Sequence, residues 1–146
     1  MHNASILTAI GETGLQLYKF GKTTSIPFPE ENFQPETAYD VIKENQKNNL
    51  HTLVLLDLRP NEKRFMTAND AINILLKIEN KRKENIFTEN TKIIVCARLG
   101  SDDSTIKYGT VKKLKNIDFG NPVHCLVVPA KKLHFAEEEF ISEYEN

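Results

Sequence analysis

The chain has 146 residues, of which 40% are hydrophobic and 27% charged, the composition of one folded domain rather than of a disordered tail. Lys and Arg number 19 against 20 Asp and Glu, a net charge of −1, so there is no broad basic field to hold a phosphate backbone, which argues against general nucleic-acid binding. No apolar run approaches the ~20 residues of a bilayer span, and no basic stretch leads into an apolar one as in a secretory signal. The expectation is a cytoplasmic protein without membrane attachment.

Residues 3–13 predict a helix. Ile6, Leu7, Ala9 and Ile10 share a face, and Gly14 suits the position just past its end. Residues 15–28 read as extended structure broken at Gly21, and Pro27 and Pro29 make this an edge strand or a loop entry. Pro35 suits the first turn of a helix, because its missing N–H has no partner there. Ala38, Val41 and Ile42 carry that helix to about Lys47, and Asn48-Asn49 closes it.

Residues 51–57 give the strongest strand. Leu53-Val54-Leu55-Leu56 is apolar on both faces, as a central strand covered by helices requires. A charged loop containing Pro60 is expected over 59–64. Thr67-Ala68-Asn69-Asp70 then resembles a capping box, opening a helix whose core face is Ala71, Ile74, Leu75 and Ile78, toward Arg82. Residues 93–97 predict a second buried strand, 105–111 a third, and 124–128 a fourth that Pro129 ends. The stretch 133–144 has aromatic and acidic residues at helical spacing. The fold class is therefore α/β, a mixed sheet flanked by helices. Cys96 and Cys125 lie inside apolar strands and are expected to be reduced, buried thiols.

Few residues advertise chemistry. Gly21-Lys22-Thr23 matches the end of a phosphate-binding loop, but Gln16 stands where that loop needs its first glycine, and Gly14 is two residues too early. The four histidines, His2, His51, His124 and His134, are scattered, with neither Cys-x-x-Cys nor His-x-x-x-His, so no metal site is expected. His51 reads as a strand-entry histidine with local hydrogen bonds, and His124 as structural. Ser5, Ser101 and Ser104 carry no nucleophile-elbow pattern, and no catalytic residue is assigned. What remains are the exits of the buried strands, at Leu56-Asp57, at Arg98-Leu99-Gly100-Ser101 and near Pro129, where open α/β sheets collect ligands.

Several stretches, in order, resemble the diphthine synthases, a family of the tetrapyrrole-methylase-type class. They are His2-Asn3-Ala4-Ser5-Ile6, residues 14–22, His51-Thr52-Leu53-Val54-Leu55-Leu56-Asp57, and Phe65-Met66-Thr67-Ala68-Asn69-Asp70-Ala71. Ala97-Arg98-Leu99-Gly100, Asp118-Phe119-Gly120 and Val128-Pro129 follow. The opening residues resemble the middle of that family. Residues 1–146 are thus expected to be its C-terminal methyltransferase domain, with 1–13 a helix from the domain junction and the family's N-terminal half absent. The resemblance implies S-adenosyl-L-methionine as methyl donor, the modified histidine of translation elongation factor 2 as acceptor in diphthamide biosynthesis, and a homodimer. It places Ser5, Ile6, Leu56, Leu99 and His124 at the cofactor, mostly through main chain and packing, and it implies little or no activity for this stretch alone. A non-catalytic dimerisation or folding module, or a related methyltransferase of tetrapyrroles or ribosomal RNA, remains open as an alternative. Ala130-Lys131-Lys132, where relatives usually have a glycine and one residue fewer, leaves that loop's shape open, and Ser101-Asp102-Asp103-Ser104 is more acidic than in many archaeal relatives.

Overall fold

The computed structural model of the protein describes residues 15–16, 19–28, 35–99, 101–133 and 135–145. The helix expected over 3–13, and with it Ser5 and Ile6, lies outside the described residues, as do Gly14, Gly100, His2 and His134.

Five strands form one mixed sheet in the order β1 (Thr24–Ile26), β2 (Thr52–Leu56), β7 (His124–Val128), β5 (Lys92–Ala97), β6 (Thr105–Thr110). β1 runs parallel to β2, and each of the other neighbours is antiparallel. β2 and β5 therefore point the same way, with β7 reversed between them. Their carboxyl ends lie beside the start of β7, where Leu55 faces Cys125 and Ala97 faces His124.

Alternation along the strands divides the core in two. Val54, Leu56, Ile93, Val95, Ala97, Leu126 and Val128 face one layer, covered by helices α1 (Thr37–Lys47), α2 (Ala68–Arg82) and α3 (Val111–Leu114). Leu53, Ile94, Cys96, Cys125 and Val127 face the other, where Ile141 of helix α4 (Phe135–Ile141) and Leu15 pack. Both cysteines are free and buried, as expected.

The expected capping box is present. Asp70 N donates to Thr67 Oγ1 at 3.1 Å, and Thr67 N donates back to Asp70 Oδ2 at 3.2 Å. The far end of α2 is fixed by a buried carboxylate: Glu79 accepts from the main-chain N–H groups of Asn85, Ile86 and Phe87 and from the Tyr39 hydroxyl of α1. Burial works to raise the Glu79 pKa, but these donors outweigh it and hold the group below the usual carboxylate range.

Two expectations are corrected, and the rejection of a phosphate loop is supported. Residues 58–65 are a small hairpin, β3 (Leu58–Arg59) and β4 (Arg64–Phe65) joined by a 3-10 turn over Pro60–Glu62, rather than a plain loop. Pro35 precedes its helix by two residues instead of sitting in the first turn. Gly21-Lys22-Thr23 leads into edge strand β1, with Gly21 N donating to His51 O at 2.8 Å and Lys22 N to Asn45 Oδ1 at 3.2 Å. Those N–H groups already have protein partners, and a strand rather than a helix follows them, so this is no phosphate cradle.

Candidate functional site

A cavity lies at the carboxyl ends of β2 and β5, the place where open α/β sheets hold ligands. Its volume is about 600 Å³, within the range of small-molecule sites. Leu55, Cys96 and Cys125 stand on the sheet face beneath it. Leu58, Leu99, Pro122 and Val123 add apolar walls, and Arg98 and Ser101 stand at one side.

Three of the five residues assigned to the cofactor by resemblance, Leu56, Leu99 and His124, line this one cavity. Ser5 and Ile6 fall outside the described residues. Strand alternation sends the Leu56 side chain into the core layer under the helices, opposite to the face that carries Leu55. What Leu56 offers the cavity is therefore its main chain.

His124 behaves the same way, because its ring is committed elsewhere. Ala68 N, at the first turn of α2, donates to His124 Nδ1 at 3.1 Å. Nε2 must then carry the proton, and it donates to the carbonyls of Gly120 at 3.1 Å and Asn121 at 3.0 Å. Phe119 meets the ring edge-on at 6.2 Å between centroids. Burial lowers the His124 pKa below the ordinary histidine value; the two carbonyls oppose this and the nearby Arg98 cation adds to it. The structural reading of this side chain thus holds, while its backbone sits at the cavity.

His51 is also a neutral, buried fixture. Ala130 N donates to His51 Nδ1 at 2.9 Å, and Nε2 donates to Glu137 Oε2 at 2.8 Å. Burial is the main force lowering its pKa, against the Glu137 carboxylate. Its hydrogen bonds reach across the chain instead of staying local, which corrects the expectation. Among the described residues no group of three or more His, Cys, Asp or Glu side chains converges in a way that could hold a metal ion. No described helix is long and apolar enough to cross a membrane.

Sequence reasoning missed Leu55, Leu58, Val123 and the two cysteines as cavity residues, since an apolar residue in a strand looks the same whether helices or a ligand cover it. The signal available was position: each lies within three residues of a strand end on the same edge of the sheet.

No family model matches the sequence. The chain is 60% identical to the diphthine synthase of Methanocaldococcus jannaschii over 137 residues, which is 92% of the chain and 53% of that protein. It is 58% identical to that of Methanococcus maripaludis over 135 residues, covering 52% of it. A crystal structure from Entamoeba histolytica, assigned as a candidate diphthine synthase, superimposes with a TM-score of 0.94 at 42% identity, over 100% of this chain and 59% of that one. A second diphthine synthase crystal structure gives 0.83 at 36% identity, over 99% of this chain and 53% of that one. The chain spans about half the length of the curated relatives it matches. In sequence and in fold it is similar to one half of a diphthine synthase, and it fits the C-terminal half.

Proposed function

We propose that this chain forms one wall of the S-adenosyl-L-methionine site of a diphthine synthase. One observation carries the reading: Leu56, Leu99 and His124, far apart in sequence, meet at a single apolar cavity on the ligand-binding edge of the sheet. Likeness to named diphthine synthases at 60% and 58% identity supports it and disfavours a tetrapyrrole or ribosomal RNA methyltransferase.

The lining suits the group. Leu55, Leu58, Leu99 and Val123 offer apolar surface to an adenosyl moiety, and Leu56 and His124 line the same cavity. When bound, the sulfonium supplies an already activated methyl group. The residues here then have two tasks, to hold the donor in line with its acceptor and to keep water out. No Asp, Glu or Lys is among the described residues lining the cavity, in keeping with chemistry that asks for alignment more than for a strong acid or base.

The same reading makes the modified histidine of translation elongation factor 2 the methyl acceptor, in the cytoplasm, with the enzyme a homodimer. It also implies that residues 1–146 alone bind the donor weakly or not at all, since the relatives carry about as much chain again. The test is methyl transfer from labelled S-adenosyl-L-methionine to elongation factor 2 bearing the amino-carboxypropyl histidine, using the protein at the full length its gene encodes. Activity that falls about 10-fold or more in Leu99→Asp is expected, because a carboxylate is costly in an apolar pocket. No transfer by the wild type would overturn the reading. Micromolar donor binding by residues 1–146 alone would overturn the claim that the site is shared.

A further inference from the structure

Arg98 follows β5 directly and takes a left-handed backbone conformation, φ 55°. Its N–H donates to Val123 O at 2.8 Å, and its carbonyl accepts from Ser101 N at 3.1 Å. The side chain spans the two loops that wall the cavity. On one side Nε donates to Asp103 O at 3.2 Å and lies 3.1 Å from Asp103 Oδ2, and Nη2 donates to Thr105 Oγ1 at 3.3 Å. On the other side Nη1 donates to the carbonyls of Phe119, at 2.9 Å, and Asn121. Every nitrogen of the guanidinium therefore has a partner within the protein.

Gly120 suits that seat: it sits at φ 77°, a conformation that strains a residue with a side chain, and a Cβ there would be in van der Waals contact with Arg98 Nη1 at 3.4 Å. The carbonyls of Gly120 and Asn121 are held from beneath by His124, so the segment 118–123 is fixed from both sides.

Resting on the cofactor reading above, we propose that Arg98 is a positioning residue. Its planar fork clamps the 101–105 and 118–123 loops together, sets the shape of the cavity, and so sets affinity for the adenosyl ligand without using its charge to hold it. A fork with five fixed donors can bridge two loops in this way; a lysine ammonium is a point charge and cannot.

The test uses Arg98→Gln and Arg98→Lys. In residues 1–146, amide hydrogen exchange over 101–105 and 118–123 should speed up about 10-fold or more in both variants, while α2 and β2 keep their protection. In the protein at the full length its gene encodes, calorimetry should show S-adenosyl-L-homocysteine binding weakened by about 10- to 100-fold in both. Gly120→Ala keeps Arg98 but strains the backbone of the 118–123 segment at its positive φ, and should reproduce both effects, which covers the case in which Arg98→Gln fails to fold. Unchanged loop exchange would overturn the proposal, and so would a lysine variant binding as tightly as wild type, since charge would then be what matters. A wild type that binds no S-adenosyl-L-homocysteine would refute the cofactor reading itself, and the exchange data would still decide whether Arg98 shapes the cavity.

Discussion

At His124 a single imidazole joins the first turn of α2 to the 118–123 segment and to the start of β7. Replacing it with Phe keeps an aromatic ring against Phe119 but removes both the acceptor and the donor. The Ala68 N–H then loses its buried partner, a loss that costs about 1–3 kcal/mol for each such group. The unfolding free energy of His124→Phe should fall by that amount, read as a lower urea midpoint at an unchanged slope; an unshifted midpoint would show that the ring contributes only bulk. This residue also shows why the site was only half legible in sequence. An isolated histidine after a turn reads as structural, which its ring is. Its proposed role at the cavity passes through the main chain, and main-chain roles leave no residue-type signature. His51 carries a second limit: its partners lie 79 and 86 residues away, and no local spacing points to them.

Among the elements, α2 was the most legible, because both its period and its start are written locally. Thr67→Ala deletes the side-chain oxygen that Asp70 N uses, and should lower stability by about 1 kcal/mol. Asp70→Ala removes the reciprocal bond to Thr67 N, and the double variant should lose less than the sum, because the two bonds form one unit. Strictly additive losses in thermal melts would mean the box is not cooperative. Strands β2, β5 and β7 were legible as apolar runs. The hairpin of β3 and β4 and the four-residue α3 were not, since elements of two to four residues span only about one period and show no repeat. Strand order was equally hidden. β7, the last strand in the chain, inserts between β2 and β5, and that insertion brings the start of β7 to the carboxyl ends of both.

The whole molecule keeps its two layers attached to the sheet through two neutral histidines. His124 fastens α2 and the cavity loop on one face, and His51 fastens Ala130 and, through Glu137, α4 on the other. Both pKa values lie below the ordinary histidine value of about 6.5, chiefly because burial disfavours the charged form. In each ring Nδ1 accepts a main-chain N–H, so protonation also breaks a buried hydrogen bond. Below pH ~6.5 the unfolded chain binds protons at these two sites that the folded chain does not, so stability falls as the pH drops, by up to about 1.4 kcal/mol per pH unit for each group until its folded pKa is passed. From about one pH unit above that ordinary value both histidines are almost wholly neutral in either state and add little slope. Chemical denaturation between pH 5 and 8 should therefore show stability level near neutrality and declining on the acid side. His51→Gln and His124→Gln, although less stable at pH 7.5, should each flatten part of that decline. An acid limb that stays as steep in both variants would overturn its assignment to these two histidines.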